Sequence, residues 1–437
     1  AAAQRAYDGQ REWWALAHEE RAAVLRRAGD LFERYAGEIQ EWVVRETGAI
    51  PPKAGLETHI AAQECFEAAA MPSHPSGQIL ATAKPRLSLY RRVPVGVVGV
   101  ISPFNFPLIL SMRSVAPALG AGNAVVLKPD PRTTMSGGYA IARIFEEAGL
   151  PEGVLHVLPG GADVGQALVE QPRVPVISFT GSTAAGRFVG EAAARRLKRA
   201  HLELGGNSAL IVLDDADLER AVGAAAFGSF MHQGQVCMTT GRHLVQASIA
   251  DEYVERLAEK ARAIPVGNPH PEQVGLGPII DERQRDKVHA LVSASVDAGA
   301  TVAAGAEFEG LFYRPTVLTG LTGEMPAWAE EIFGPVAPVV RFDTIEEAAR
   351  IAADTPYGLS LGILTRDVMK GLALADRIPS GIVHVNDQTV DDESPAPFGG
   401  VGDSGTGSRF GGAAANVEAF TEGQWVTLQG EIPQYPF

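Results

Sequence analysis

Residues Val176–Glu191 read VISFTGSTAAGRFVGE. An apolar run ends at Thr180, Gly181 permits a tight turn, and Ser182 and Thr183 are strong N-cap residues. Ala184, Ala185, Gly186 and Arg187 then open a helical stretch, so the segment predicts strand, turn and helix in direct succession. The same order recurs outward from it. On the N-terminal side lie VGVVGVI (95–101), NAVVLKP (123–129) and GVLHVLP (153–159), with helical stretches predicted over 133–148 and 183–198. On the C-terminal side SALIVLD (208–214), RHLVQA (242–247), PVVRF (338–342), SLGILT (360–365) and GIVHVN (381–386) alternate with helices predicted over 217–230, 251–262, 345–353 and 367–377. Short apolar strands separated by helices mean βαβ units and parallel sheets. Two α/β units of similar size follow, joined near Leu204–Asn207, where a strand ends in two glycines.

Residues 18–46 place Val24, Leu25, Leu31, Phe32, Ile39 and Val43 at helical spacing among charges and predict one or two amphipathic surface helices. Two segments fit neither unit. QILATAKPRLSLYRRV (78–93) alternates loosely and predicts a two-stranded hairpin, and QWVTLQG (424–430) alternates near the C-terminus. Isolated strands need a sheet to join, and a neighbouring subunit's edge is one candidate.

Hydrophobic residues make up 46% of the 437 positions and charged ones 20%, the balance of a globular chain with a large core. A formal charge of −15 argues against nucleic acid or an anionic membrane as partner, because both repel such a protein at long range. No apolar run reaches the roughly 20 residues needed to span a bilayer. The N-terminal AAAQRAYDGQREWW has no apolar signal-peptide core and opens almost directly into a helical pattern, so residues upstream of it are expected. Two widely separated cysteines make neither a disulfide framework nor a zinc site; no metal is expected, and a reducing cytoplasm is the simplest setting.

Cys65, in AAQECFEAAA, reads as a small buried filler. Cys237 differs: HQGQVCMTTGR (232–242) surrounds it with small and polar residues. A nucleophilic thiol needs a lowered pKa or a nearby base. His232 and His243 flank it and raise the option of a cysteine hydrolase, but no supporting Asn or Asp pattern accompanies them, and structural or rim roles are favoured for both. Glu203, in HLELGGN, stands at the end of an apolar strand, where burial can raise a carboxyl's pKa and make it a general base. Asn105, in SPFNFP (102–107), sits between two prolines; a stiffly held amide N–H₂ suits oxyanion stabilisation, and Phe104 and Phe106 are placed to wall an apolar pocket. Ser182–Arg187 offers a helix N-terminus for phosphate, and Lys128, ending NAVVLKP, is placed to hold ribose or phosphate off a strand's carboxyl end. The literal G-x-G-x-x-G, Gly400–Gly405, neither follows a clear strand nor opens a helix and is read as a flexible loop.

Taken together these stretches resemble the aldehyde dehydrogenase superfamily, in order from about Glu20 to the C-terminus. The matching stretches are PxGVVGVISPFNFP, VLKP, FTGST, LELGGN, GQVC, EEIFGPV and PFGGVGDSG. The resemblance implies two doubly wound parallel-sheet domains, a Rossmann-like cofactor domain (1–77 and 95–205) and a catalytic domain (206–404). It adds a small β oligomerisation element (78–94 and 420–437) and a homodimer or homotetramer. It implies Cys237 as nucleophile, Glu203 as general base and Asn105 as oxyanion donor alongside the backbone N–H of Cys237. NAD, with NADP as an option, is implied at Lys128, Gly181, Ser182, Gly205, Glu331, Phe333, Pro103 and Phe104. The substrate tunnel is implied at Phe106, Arg113, Met231 and Phe398. The reaction implied is oxidation of an aldehyde to its acid through a thiohemiacetal and a thioester.

Departures sharpen the expectation. Many members carry a glutamate three places after the lysine; here Pro131 stands there, with Asp130 as a substitute, which opens the NAD-over-NADP preference. SMRSVAP (111–117) puts Arg113 where an aromatic residue is common, and Arg113 has acids to pair with in the run VNDQTVDDESPAPFGG (385–400). KPDPRT, HQGQVCMTTGRH, HLELGGNSALIVLDD and NDQTVDDE are most similar to the benzaldehyde and vanillin dehydrogenase branch, implying an aromatic aldehyde. The other readings are a CoA-acylating dehydrogenase, against which Glu203 speaks as water activator, and a non-catalytic relative, against which the complete set Cys237, Glu203 and Asn105 speaks.

Overall fold

The computed structural model describes residues 1–74, 77–270 and 272–437. Pro75 and Ser76, near the end of the expected segment 1–77, lie outside the described residues.

Five short strands form the first sheet in the spatial order Leu155–Val157, Ala124–Lys128, Val97–Ile101, Val176–Thr180, Arg199–Glu203, all neighbours parallel. Counted along the chain this is 3-2-1-4-5, the doubly wound order. The central strands 97–101 and 124–128 are buried along their whole length, which is why they are uninterrupted apolar runs. The winding reverses between strands 97–101 and 176–180. The loops leaving them, 102–106 and 181–182, therefore diverge and open a crevice at the sheet's carboxyl edge. Helix Pro107–Gly120 starts at that crevice and is buried on every side, with Pro107 at its first position. The N-terminal helices Ala2–Ala15, His18–Arg34, Ala36–Thr47 and Pro51–Ala70 cover the sheet; Trp13 Nε1 donates to Leu119 O (2.9 Å) and Gln10 Nε2 to Gly122 O (2.9 Å).

The chain leaves the first sheet at Glu203 and enters the second at Ser208, through the two glycines of the expected join. The second sheet has seven strands in the order Thr301–Ala304, Thr316–Thr319, Val336–Phe342, Thr240–Gln246, Ser208–Val212, Ser360–Leu364, Ile382–Val385. All neighbours are parallel except the edge strand 301–304. A third sheet pairs Gly77–Ile79 and Leu87–Pro94 as the expected hairpin, with Thr421–Leu428 on the other side of 87–94. The hairpin's partner is thus the chain's own C-terminal strand, which begins three residues earlier than its alternation predicted.

Two further expectations are corrected. The predicted helix 133–148 opens with a π-turn over Met135–Tyr139 before the regular helix Ala140–Glu147. Glu46 accepts from Met135 N (2.9 Å) and Ser136 N (2.8 Å) at that start. The segment Gly400–Gly405 is not a loose loop. Gly402 and Val401 pair with Tyr357 and Gly358, Leu204 N donates to Ser404 O (2.9 Å), and Gly405 bridges to Glu203. It is a fixed backbone lid over the strand end that carries Glu203.

Candidate active site

Two cavities meet at Cys237. One, of about 290 Å³, is lined by Asn105, Phe106, Met231, Cys237, Asp391 and Phe398 among others. The other, of about 150 Å³, is lined by Phe104, Asn105, Gly181, Ser182, Cys237, Glu331 and Phe333 among others. Both share Asn105, Leu110 and Cys237. The sulfur therefore faces an apolar chamber on one side and the crevice of the first sheet on the other.

The two shared polar residues come from different sheets. Asn105 follows the carboxyl end of strand 97–101, whereas Cys237 precedes the amino end of strand 240–246. Asn105 Nδ2 donates to Gln235 O at 2.9 Å, which fixes the amide two residues before the thiol. The loop before Cys237 is strained: His232 and Gln233 both lie in the left-handed region, at φ 50° and 58°. Each costs on the order of 1 kcal/mol or more. Gln233 Nε2 holds the strain by donating to Pro278 O (2.7 Å) and Gly48 O (3.1 Å). Gly234, at φ 66°, lies so close to Gly334 O that a Cβ would collide with it.

Burial pushes the Cys237 thiol up to about 12, and the carboxyls of Glu331, Glu203 and Asp392 push in the same direction. The protein by itself therefore keeps this sulfur protonated. Glu203 is also raised well above the usual carboxylate range, by burial first, with Arg409 and Arg113 partly opposing. It is 4% exposed and makes no well-formed hydrogen bond among the described residues, although the Gly400 N–H lies near enough to oppose the rise. It lies under the lid, one oxygen close to Gly399, and lines neither cavity.

The smaller cavity is assembled from the turn Thr180–Ser182, the turn Pro103–Asn105 and the segment around Glu331. Ser182 caps helix Thr183–Ala194, whose free N–H groups and partial positive charge face the crevice. Glu331 Oε1 accepts from Gly206 N (3.1 Å), and burial raises its carboxyl to about 7. A Cβ at Gly205 would collide with that carboxylate, so only glycine lets it reach this far. Phe333, held at φ 56°, meets Phe104 edge-on at 6.0 Å. This set fits a dinucleotide: a helix N-terminus for phosphate, an acid for sugar hydroxyls and aromatic walls beside the thiol. Pro103 and Leu204 also line the cavity, as do Gln284 and Lys287, which the sequence reading missed. Their helix, Glu282–Asp297, is mostly polar, and its clearest signal is the N-cap Asp281.

Lys128 ends strand 124–128 as expected, but it is buried outside that lining. Asp130, the substitute acid, is already forked by Arg132, which donates from Nε and Nη2 at 2.9 Å. Burial opposes its ionisation, but the Arg132 bonds prevail and its carboxyl is lowered. Arg132 itself stacks over Phe104 at 4.3 Å.

Phe106, Met231 and Phe398 line the larger cavity, with Ile60, Phe227 and Val390 in addition. Arg113 is corrected: it does not line the cavity but stands behind it. Its guanidinium stacks on Phe398 at 4.8 Å and donates to Asp392 at 2.5–2.6 Å, and it lies 3.4 Å from Glu64. The arginine thus pairs with the acidic run and clamps two wall residues from outside. Burial raises Glu64 to about 7 despite Arg113. Arg113→Met should leave Asp392 and Phe398 unclamped. The expected result is a KM for the larger cavity's ligand raised about tenfold with kcat within about threefold, the signature of lost ground-state binding; steady-state kinetics checks it.

The two histidines take structural places. His243 is buried between Ser229 Oγ (2.7 Å) and Tyr253 OH (2.8 Å), and burial lowers it to about 3. His232 packs edge-on against Phe106 at 5.5 Å and is held neutral by burial. Cys65 is a buried free thiol, raised further by burial, in keeping with a filler. Among the described residues no group of acids, histidines and cysteines is arranged to hold a metal ion, and no helix is long and apolar enough to cross a membrane.

Residues 1–426 match the profile described as "Aldehyde dehydrogenase family". The chain is 69% identical over 437 residues to a vanillin dehydrogenase of an Amycolatopsis species, covering all of this chain and 90% of that one. It is 51% identical over 438 residues to the benzaldehyde dehydrogenase (NAD(+)) of Pseudomonas putida, with the same coverage. Among solved structures it is similar to a salicylaldehyde dehydrogenase from Pseudomonas putida G7 complexed with salicylaldehyde. There the TM-score is 0.96 and the identity 38%, over all of this chain and 91% of that one. A betaine aldehyde dehydrogenase from Staphylococcus aureus in complex with NAD+ aligns with a TM-score of 0.96 and 30% identity, over all of this chain and 87% of that one. The chain belongs to the aldehyde dehydrogenase family.

Proposed function

We propose that the protein oxidises an aromatic aldehyde to its carboxylic acid with NAD+, by way of a covalent bond to Cys237. The observation that carries this reading is the position of Cys237 and Asn105 on both cavities at once, one apolar and aromatic-walled, the other built around a helix N-terminus. Relatives named for vanillin and benzaldehyde support the aromatic class.

Cys237 gives its proton to solvent water and adds its sulfur to the carbonyl carbon. Asn105 Nδ2 turns from Gln235 O to the oxygen that becomes negative. NAD+ held along the smaller cavity would supply the hydride acceptor, leaving the acyl group on Cys237 as a thioester. Glu203 then takes a proton from the water that attacks the thioester, and the acid leaves with the thiol restored. To do so its side chain rotates from under the lid toward the sulfur.

Ser182 and the start of its helix would hold the phosphates, and Glu331 the ribose hydroxyls. As pH falls through about 7, Glu331 takes up a proton and loses its charge, so hydroxyl donors bind it less well. The KM for NAD+ is expected to rise about threefold or more from pH 8 to pH 6, and Glu331→Gln to flatten that slope.

The test is a panel of aromatic and aliphatic aldehydes with NAD+ and NADP+, followed by reduced nicotinamide. Aromatic aldehydes should exceed short aliphatic ones by about tenfold or more in kcat/KM. A requirement for coenzyme A would favour an acylating enzyme, and ester turnover without any nicotinamide product would favour a hydrolase.

We also propose a homodimer or homotetramer assembled through the third sheet, with 78–94 and 420–437 as the joining element. Ile79 (79% exposed) and Trp425 (63%) stand open on it. Two free cysteines fit work in the reducing cytoplasm.

A further inference from the structure

Behind the turn that carries Asn105 runs helix Pro51–Ala70, and two of its side chains one turn apart face that turn. Lys53 and Glu57 are both buried and pair with each other. Lys53 Nζ donates to the backbone carbonyl of Asn105 at 2.6 Å and sits 4.2 Å above the ring centre of Phe106. The second oxygen of Glu57 accepts from Leu108 N (3.0 Å) and, more weakly, from Ile109 N (3.4 Å), in the first turn of helix 107–120. One ion pair therefore grips the turn at both ends, at the carbonyl of Asn105 and at the helix start that follows it.

Such a pair is a poor device for stability alone. Removing two charges from water costs several kcal/mol per ion, and apolar residues of similar volume often serve as well or better. Burial lowers the Lys53 amine and raises the Glu57 carboxyl, each opposed by the partner's charge. What the pair does supply is placement. An oxyanion donor works only if its N–H lies within hydrogen-bond reach of the developing charge, and an error of about 1 Å can cost about 100-fold in rate.

We propose that Lys53 and Glu57 are positioning residues for the oxyanion donor, holding the Asn105 backbone so that its amide faces the carbon attacked by Cys237. This rests on the reading of Asn105 as that donor. Neither residue touches substrate or cofactor; both act through the turn.

A double-mutant cycle tests it, with kcat normalised to Cys237 sites titrated by iodoacetamide. Asn105→Ala alone should lower kcat for aldehyde oxidation by about 100-fold or more. Lys53→Met should lower kcat by about tenfold or more with KM within about threefold. In the Asn105→Ala background the same substitution should lower kcat by less than about twofold, because the amide it positions is gone. Lys53→Met leaves a carboxyl buried without its partner, so the neutral pair Lys53→Met/Glu57→Gln is measured beside it. That variant keeps an acceptor for the helix start but has no amine on the Asn105 carbonyl, and it should show the same loss and the same non-additivity. Losses that multiply in the Asn105→Ala background, or a neutral pair that oxidises aldehyde at close to the native rate, overturn the proposal. Native kcat in Asn105→Ala itself overturns the oxyanion reading, a failure distinct from an additive cycle.

Discussion

Cys237→Ala is expected to lose about ten-thousand-fold or more in aldehyde oxidation while still binding NAD+. The size of the effect follows from the site's layout. Phe106, Phe398 and Met231 wall the larger cavity and the crevice turns wall the smaller one, so both ligands are expected to bind with the alanine in place. Of the three residues common to both, Asn105, Leu110 and Cys237, only Cys237 carries a nucleophile. Without it the carbonyl carbon has no nucleophile, and both flanking histidines are committed elsewhere, His243 to Ser229 and Tyr253 and His232 to the packing around Phe106. Fluorescence quenching by NAD+ separates lost chemistry from lost binding. Retention of more than about 1% of native kcat with the alanine in place would overturn the role of Cys237. The wild-type thiol makes a companion case. Because burial and three carboxyls raise it to about 12, its alkylation by iodoacetamide without cofactor should keep accelerating as pH rises past 9.

Much of this site was legible in the sequence because its parts end strands or open them. Each buried parallel strand is a short apolar run closed by a turn, and the doubly wound order brings the carboxyl ends of strands 97–101, 176–180 and 199–203 to one edge. Asn105, Ser182 and Glu203 are distant in sequence and neighbours in the fold for that reason. Helix Pro107–Gly120 was less legible: buried all round and with Pro117 inside it, it has no polar face to show a period. The edge strand Thr301–Ala304 was missed because it is antiparallel and half exposed, so no apolar run marks it. The residues standing behind the site were hidden for a different reason. Lys53 and Glu57 are spaced like an exposed helix pair, and nothing local says that they are buried against residues some fifty positions on. Arg113 could be paired with the acidic run, but its place outside the cavity wall depends on Phe398 lying between. Sequence pattern exposes what the backbone presents at strand ends; it conceals what one element does for another across a packed interface.

Glu203→Gln is expected to separate the two halves of the reaction. The glutamine has nearly the same shape and stays under the lid formed by Gly400–Gly405, but it cannot accept a proton from water. Acyl transfer to Cys237 does not need that proton acceptor. Rapid mixing of variant, NAD+ and aromatic aldehyde should give one equivalent of reduced nicotinamide per Cys237. Steady-state turnover should then be about a thousand-fold slower than native, since a positioned general base contributes roughly 100- to 10,000-fold. The pH dependence carries the same signature. Burial holds the Glu203 carboxyl well above its usual range, so it is protonated, and useless as a base, below that raised value. Native turnover limited by thioester hydrolysis should therefore climb with pH well above the usual carboxylate range, and Glu203→Gln should lose that climb. A variant with native steady-state turnover would move the base to another residue. One that loses the initial equivalent as well would mean that Glu203 acts before the thioester forms, by drawing the proton from Cys237.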